Sequence, residues 1–331
     1  MPEIGRRAFL RVAAGAGLAG FALPWMSGRA EGAARLVPIR IGYQTNIWGM
    51  PTYYVIQSKV LDKYGIKVQE FPVVSGNLTR DQMVARQVDM GTYAGPAFIV
   101  GASKGELVAI CVAEYAGRTI QVVARKDLNV KSVADLKGKK IALQPGASIT
   151  AIFMNQVAPK HGLRKTDYEE VKINVNDMVA AMAAKSVDAM VNTEPYNAIA
   201  IGEGIGVLLM DYWEFDRLPV LMTALPEFVE KNPETVVAFL KGWLEAVRDF
   251  QEAPQKPVNA IWEFYKSKGY TASREMIAQA VGRLDVRPEF GPELRPYLAE
   301  QADFLVKDKK IRDIPDWNKV LRPEFLEKAK A

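Results

Sequence analysis

Apolar and polar positions along the chain switch repeatedly between a strand-like and a helix-like period. Val37 to Gln44 reads as a short strand, Trp48-Gly49-Met50-Pro51 as a turn, and Thr52 to Tyr64 as a helix that Gly65 stops. Ile66 to Val74 reads as a second strand and Ser75-Gly76-Asn77 as a loop. Leu78 to Gln87 follows as a helix with apolar Leu78, Met83 and Val84. Val88-Asp89-Met90-Gly91 opens a third strand. The same order then returns as a strand at Lys140 to Gln144, a helix from about Ser148, a strand at Val171 to Val175, a helix at Asp177 to Lys185, and Val187-Asp188-Ala189-Met190-Val191. Gln44 and Gln144 close the first strands about one hundred positions apart, and Asp89 and Asp188 precede the third strands at nearly the same interval. Two halves of similar βαβαβ build follow, each a parallel sheet covered by helices and connected by right-handed crossovers.

Two β-branched segments stand outside the repeat. Thr119 to Arg125 leads out of the first half, and Leu218 to Leu225 precedes a long helical tail. In that tail Asn232 is the expected N-cap, Pro233 the first helical residue, and Val236, Phe239, Leu240, Trp243, Val247 and Phe250 the apolar stripe, with Pro254 as the stop. The expected fold is α/β and two-lobed, each lobe a mostly parallel sheet flanked by helices. Lobe 1 takes residues 35–120 plus 221–331 and lobe 2 takes residues 121–220, and the two crossover strands between them serve as a hinge.

Composition removes whole classes of chemistry. A chain of 331 residues is long for one core, which agrees with two lobes. With one Cys and one His, an internal disulfide is impossible, a zinc cluster lacks ligands, and any triad would have to use His161. His161 ends a helix before Gly162, where a cation suits the helix dipole without catalysis. The expectation is therefore a protein that is not an enzyme and holds neither cofactor nor metal. A net charge of +5 and the lack of a Lys/Arg block interleaved with aromatics give no reason to expect nucleic acid as a partner.

Residues 1–34 read as an address. Arg6-Arg7-Ala8-Phe9-Leu10-Arg11 precedes a small, weakly apolar run from Val12 to Met26, too short to span a membrane. The string resembles the twin-arginine export signal, with cleavage expected near Ala34. Cys111 lies within the apolar run Leu107 to Val112 rather than at the signal boundary, so it reads as a buried thiol and not as a lipid anchor. A soluble periplasmic monomer is expected.

In open parallel sheets ligands bind beyond the carboxyl ends of the strands, so two lobes would face such edges across a cleft. One wall would be Gln44 to Trp48, Ser75 to Asn77 and Gly91 to Gly95. The other would be Gly146 to Thr150 and Asn192 to Tyr196, with Tyr115 to Arg118 near the hinge. Gln144-Pro145-Gly146-Ala147-Ser148 places a glycine turn and a hydroxyl at a helix start, where free backbone N–H groups suit an anion. Ser148 could equally cap that helix, and both roles are compatible. Among loop aromatics, Trp48, Tyr93 and Tyr196 are the candidate pocket walls, and Arg118 and Arg80 are the candidate cations for an anionic ligand. Glu194-Pro195 closes a strand, where it shapes a loop or touches a ligand.

Five segments in order resemble periplasmic solute-binding proteins of ABC importers, in the branch that binds aliphatic sulfonates, taurine and nitrate. They are Val133 to Ala142, Gly146-Ala147-Ser148, Val187-Asp188-Ala189, Asn192-Thr193-Glu194-Pro195 and Asn232 to Val236. The resemblance implies the type II periplasmic-binding fold, capture of a small anionic molecule by hinge closure, and delivery to a membrane permease and its ATPase. Its ligand contacts map to Gln44, Ser75, Gly76, Gly91, Thr92, Ala147, Ser148 and Glu194. The Asn46 to Pro51 entrance is bulkier than in a typical sulfonate binder, and Trp48 offers a stacking surface to an aryl sulfonate, an aromatic carboxylate or a neutral pyrimidine. The fungal pyrimidine synthase of thiamine biosynthesis shares this fold, but it needs a histidine and a cysteine-rich segment that this chain lacks.

Overall fold

The computed structural model describes residues 36–331, so the leader read in residues 1–34 lies outside the described residues. Among the described residues ten strands are formed: β1 Ile39–Gln44, β2 Val68–Val73, β3 Met90–Ala94, β4 Val108–Tyr115, β5 Ile120–Arg125, β6 Lys140–Leu143, β7 Glu169–Lys172, β8 Ala189–Thr193, β9 Gly206–Asp211 and β10 Pro219–Ala224. They make two five-stranded sheets, ordered β2-β1-β3-β10-β4 and β7-β6-β8-β5-β9. In the first sheet β1 runs parallel to β2 and β3, whereas β10 lies antiparallel between β3 and β4. In the second, β6 runs parallel to β7 and β8, and β5 lies antiparallel between β8 and β9. Each sheet is therefore mixed, and its one reversed strand is the strand that arrives from the other sheet. The connections are short: β4 leads to β5 through Ala116–Thr119, and β9 to β10 through Tyr212–Leu218.

The repeated aspartates have a common structural cause. The Arg40 N–H donates to Asp89 Oδ2 at 2.9 Å, and the Lys140 N–H donates to Asp188 Oδ2 at 2.9 Å. Asp89 and Asp188 return the bond through their own N–H groups, to Arg40 O and Lys140 O at 2.8 Å. Each aspartate thus pins the entry of the third strand to the start of the first. Just before them, Arg86 and Lys185 both adopt φ 59°, a left-handed turn that ends the preceding helix. The sequence repeat is a repeat of these junctions.

The structure departs from the sequence reading at several points, and the strand expected at Val171 to Val175 is Glu169–Lys172. The helix expected over Thr52 to Tyr64 divides into Met50–Gln57 and Val60–Lys63, because Lys59 at φ 61° interrupts it. Asn232 stands at the N-cap of helix Pro233–Val247, with Pro233 first in the helix as expected, but its amide donates back to Phe228 O at 3.1 Å and supplies no side-chain cap. Strands β4 and β9 had no distinct reading in the sequence. β4 is buried along its whole length, Glu114 included, so it lacks the alternation of a half-exposed strand.

The helical tail touches both halves. Helix Pro233–Val247 buries Phe239, Leu240 and Trp243 in the main core. Helices Gln255–Ser267 and Arg274–Gly282 contribute Ile261 and Ile277 to a second cluster, which joins Tyr43, Ile47 and Met50 near the first sheet to Ile199 near the second. A Cβ at Gly202 would stand 2.3 Å from Met276 Cε, so this glycine lets the tail lie against helix Tyr196–Gly202.

Candidate functional site

Strand β1 delivers Gln44 to the sheet edge, where it is 2% exposed and its Nε2 has no hydrogen-bond partner. A buried amide donor left open is costly, so an open one beside a cavity marks a place for an acceptor. Gly76 makes that approach possible, since a Cβ there would meet Tyr93 Cβ at 2.7 Å and the Gln44 carboxamide at 3.4 Å. Ser75 caps the helix Gly76–Val84 by accepting from the Leu78 N–H at 3.4 Å. One turn in, Arg80 pairs with Asp81 at 2.7 Å and reaches Asn77 Oδ1 at 3.3 Å. Trp48 is oriented from both ends: its N–H donates to Asn46 Oδ1 at 3.2 Å and its Nε1 donates to Thr119 Oγ1, in the β4–β5 connection, at 2.7 Å.

Across the cavity, Gly146 turns the chain at φ 70° and helix Ser148–Ile152 begins. Thr150 Oγ1 donates to Gln144 O at 2.8 Å and holds the turn closed. Ala147, not Ser148, occupies the N-cap position, so no side-chain oxygen accepts from the first-turn N–H groups. Those donors and the Ser148 hydroxyl remain for a ligand.

These walls enclose a cavity of about 530 Å³. Gln44, Trp48, Ser75, Gly76, Ala147 and Ser148 line it, together with Arg80 and Gln144. Leu218 lines it in a left-handed conformation at φ 47°, which is strained for a non-glycine residue; Asp216 Oδ1 fixes the turn by accepting from the Leu218 N–H at 2.7 Å. Pro96, Ala97 and Val100 form an apolar side, and Leu305 and Lys310 arrive from the tail. The charged residues among the lining are Arg80, paired with Asp81, and Lys310, 3.8 Å from Asp308; no Asp or Glu is itself among the lining residues.

Six other candidates stand elsewhere. Gly91 serves packing, since a Cβ there would meet Thr79 Cγ2 at 2.7 Å. Thr92 and Tyr93 are buried behind the wall, Thr92 Oγ1 lying 2.9 Å from Thr52 Oγ1 and the Tyr93 hydroxyl donating to Met83 Sδ at 3.4 Å. Arg118 is exposed and stacks 4.2 Å over Trp213. Tyr196 bonds Asn176 Oδ1 and stands 3.0 Å from the Tyr270 hydroxyl. Glu194 is fully buried, receives the Ala198 N–H at 2.8 Å and pairs with Arg283 of the tail at 2.8 Å. Burial pushes its carboxyl up to about 7 even though Arg283 pulls the other way. Leu305 and Lys310 had no local signal, because nothing near residue 300 announces that the tail returns to the cleft.

The profile of the NMT1/THI5-like family matches residues 51–257, more than half of the chain, and the chain belongs to that family. A binding protein of Brucella abortus (strain 2308) is 27% identical over 238 residues, 70% of this chain and 72% of its own. An ABC transporter periplasmic binding protein of Brachyspira hyodysenteriae is 24% identical over 249 residues, 68% and 69% of the two chains. Among solved structures, the Escherichia coli periplasmic aliphatic sulphonate binding protein SsuA superposes with TM-score 0.72 at 20% identity, covering 86% of this chain and 91% of its own. The desulfurization enzyme DszB shares the fold as well, with TM-score 0.67 at 16% identity over 88% and 99% of the two chains. The fold is thus that of the two-lobed periplasmic binding proteins.

Proposed function

We propose that this chain is the solute receptor of an ABC importer, and that it captures a small organic anion of the sulfonate or carboxylate type between its lobes. The observation that carries the reading is the donor inventory of the cavity: the open Gln44 Nε2, two helix starts, and Arg80 and Lys310, whose carboxylate partners Asp81 and Asp308 stand outside the lining. The ligand contacts are Gln44, Trp48, Ser75, Gly76, Ala147 and Ser148, with Arg80 and Lys310 added. The lobes are residues 35–120 plus 221–331 and residues 121–220, and they close about the Ala116–Thr119 and Tyr212–Leu218 connections. A ligand that touches both walls would favour the closed form through its extra affinity for it. Residues 1–34 would direct export by the twin-arginine route, leaving a periplasmic monomer without a lipid anchor that meets a permease and its ATPase.

The enzymatic alternative draws on the fold shared with DszB. Against it, the cavity lining holds no His, Cys, Asp or Glu, the side chains that most often act as general base or activated nucleophile. A thermal-shift screen over alkanesulfonates, taurine, nitrate, aromatic carboxylates and pyrimidines tests the proposal, because a ligand of the native state raises its melting temperature. Stabilisation by one of the anions is expected. Stabilisation by neutral pyrimidines alone, or turnover of a stabilising anion, would contradict it.

A further inference from the structure

Trp48 stands at the end of the first sheet, yet its ring is held from the crossover. The short turn Ile47–Gly49 that carries it is fixed against β1: Asn46 caps it, Ile47 is buried, and a Cβ at Gly49 would stand 1.8 Å from Gln44 O. That turn sets where the side chain starts but not how the ring rotates about its side-chain bonds. An indole has a single donor, and here the Nε1–H is spent on Thr119 Oγ1 at 2.7 Å. A ligand in the cavity therefore meets the face or carbon edge of the ring and not its N–H.

Thr119 is a junction. It is fully buried at the end of the Ala116–Thr119 connection, and its hydroxyl donates to Ala116 O at 2.6 Å, which leaves the lone pairs of Oγ1 for the indole. Its own carbonyl accepts from the Glu194 N–H at 3.0 Å and from Asn197 Nδ2 at 3.3 Å, two residues that follow β8 of the second sheet. One residue thus grips a wall of the cavity with its side chain and the second sheet with its main chain. Beside it the two crossovers are bonded to each other, the Ala116 N–H to Leu218 O at 3.0 Å and the Gly117 N–H to Arg217 O at 2.9 Å. Thr119 is not among the lining residues of the cavity, so any effect it has on a ligand passes through Trp48.

We propose that Thr119 is a positioning residue for the ligand: its hydroxyl, carried by the crossover, fixes the Trp48 ring in the orientation that a ligand contacts. This rests on the reading of the cleft as a ligand site. An aromatic wall that is already ordered does not have to be ordered on binding, which removes an entropic cost from association.

Calorimetry with ethanesulfonate and benzenesulfonate tests this on the wild type, Thr119→Val, Thr119→Ser, Trp48→Phe and the double variant Thr119→Val with Trp48→Phe, with a melting curve of each free protein. Val keeps the shape of Thr and removes the acceptor, whereas Ser keeps the acceptor. Thr119→Val should weaken binding of each acid that the wild type holds about fivefold, and Thr119→Ser should stay within about twofold of the wild type. In the Trp48→Phe background, which has no N–H to hold, Thr119→Val should change affinity by less than about twofold. The same loss in both backgrounds, or no loss on Thr119→Val, would overturn the proposal, since a crossover that needs Thr119 only for its own packing would weaken binding with either ring. A second readout needs no ligand. The indole N–H resonance of Trp48, assigned by its disappearance in Trp48→Phe, should exchange with water at least about tenfold more slowly than a free indole in the wild type and in Thr119→Ser, and lose that protection in Thr119→Val. Exchange at the free rate in the wild type would overturn the proposal. No binding of either acid to the wild type would instead overturn the reading of the cleft itself.

Discussion

The turns after β3 and β8 are close equivalents in the repeat, yet they serve different ends. In the first half Gly95-Pro96 follows β3, Pro96 faces the cavity, and a Cβ on Gly95 would press on Tyr297 at 3.1 Å and Leu298 at 3.2 Å. In the second half Glu194-Pro195 follows β8, and the Glu194 carboxylate is drawn away from the cavity by Arg283. The same tail therefore packs on one turn and binds the other with an ion pair. A duplicated framework fixes where strand ends lie, and distant segments decide which of them face the ligand.

The largest expected effect comes from that ion pair. Arg283→Met leaves a buried carboxyl without its cation and should cost about 3 kcal/mol at pH 8, read by urea denaturation. The loss should shrink at pH 5, where the stranded carboxyl takes a proton. The wild type adds a pH test. The Glu194 pKa is raised from 4.5 to about 7, so the folded state binds the extra proton and stability falls as pH rises through that window. Glu194→Gln should therefore flatten part of the fall in melting temperature between pH 4.5 and pH 7, and an unchanged slope would show that Glu194 does not titrate there.

The paired aspartates come next. Asp89→Ala and Asp188→Ala each remove an acceptor from a strand-entry N–H and should cost about 1–3 kcal/mol. Asp89 should be the more costly, because Arg40 also grips it with Nε at 3.0 Å and Nη2 at 2.6 Å, whereas Arg125 reaches Asp188 only at 3.4 Å. Equal losses would mean that the backbone bond alone carries the junction.

The smallest effect separates the two helix starts. Ser75 caps its helix and Ala147 leaves its own uncapped. Ala147→Ser should raise stability by about 1 kcal/mol and weaken anion binding, because the new hydroxyl competes for the same N–H groups. A stability gain with unchanged affinity would place the anion elsewhere.

Much of the framework was legible in the chain. The repeat placed Gln44, Gln144, Asp89 and Asp188 at their junctions, since strand ends and left-handed helix stops leave short local signatures. The strand-end rule likewise brought Trp48, Ser75, Gly76, Ala147 and Ser148 to the cavity. It also over-selected: Thr92 and Tyr93 precede the end of β3, so their side chains pack behind the wall rather than beyond it. Glu194 lies at the right strand end, but its fate depends on Arg283, far along the chain. Leu305 and Lys310 reach the cavity only through tertiary packing, which local periodicity does not encode.

The most direct measurement is the affinity of one alkanesulfonate for the wild type and for Arg80→Met, Lys310→Met and the double variant, by calorimetry with melting curves of the free proteins. Each single variant should bind about tenfold more weakly, and the double variant more weakly still, with little change in melting temperature, since removing a charge-assisted hydrogen bond costs about 1.5–3 kcal/mol. Undiminished affinity in the double variant would show that the cations of this cavity hold no anion.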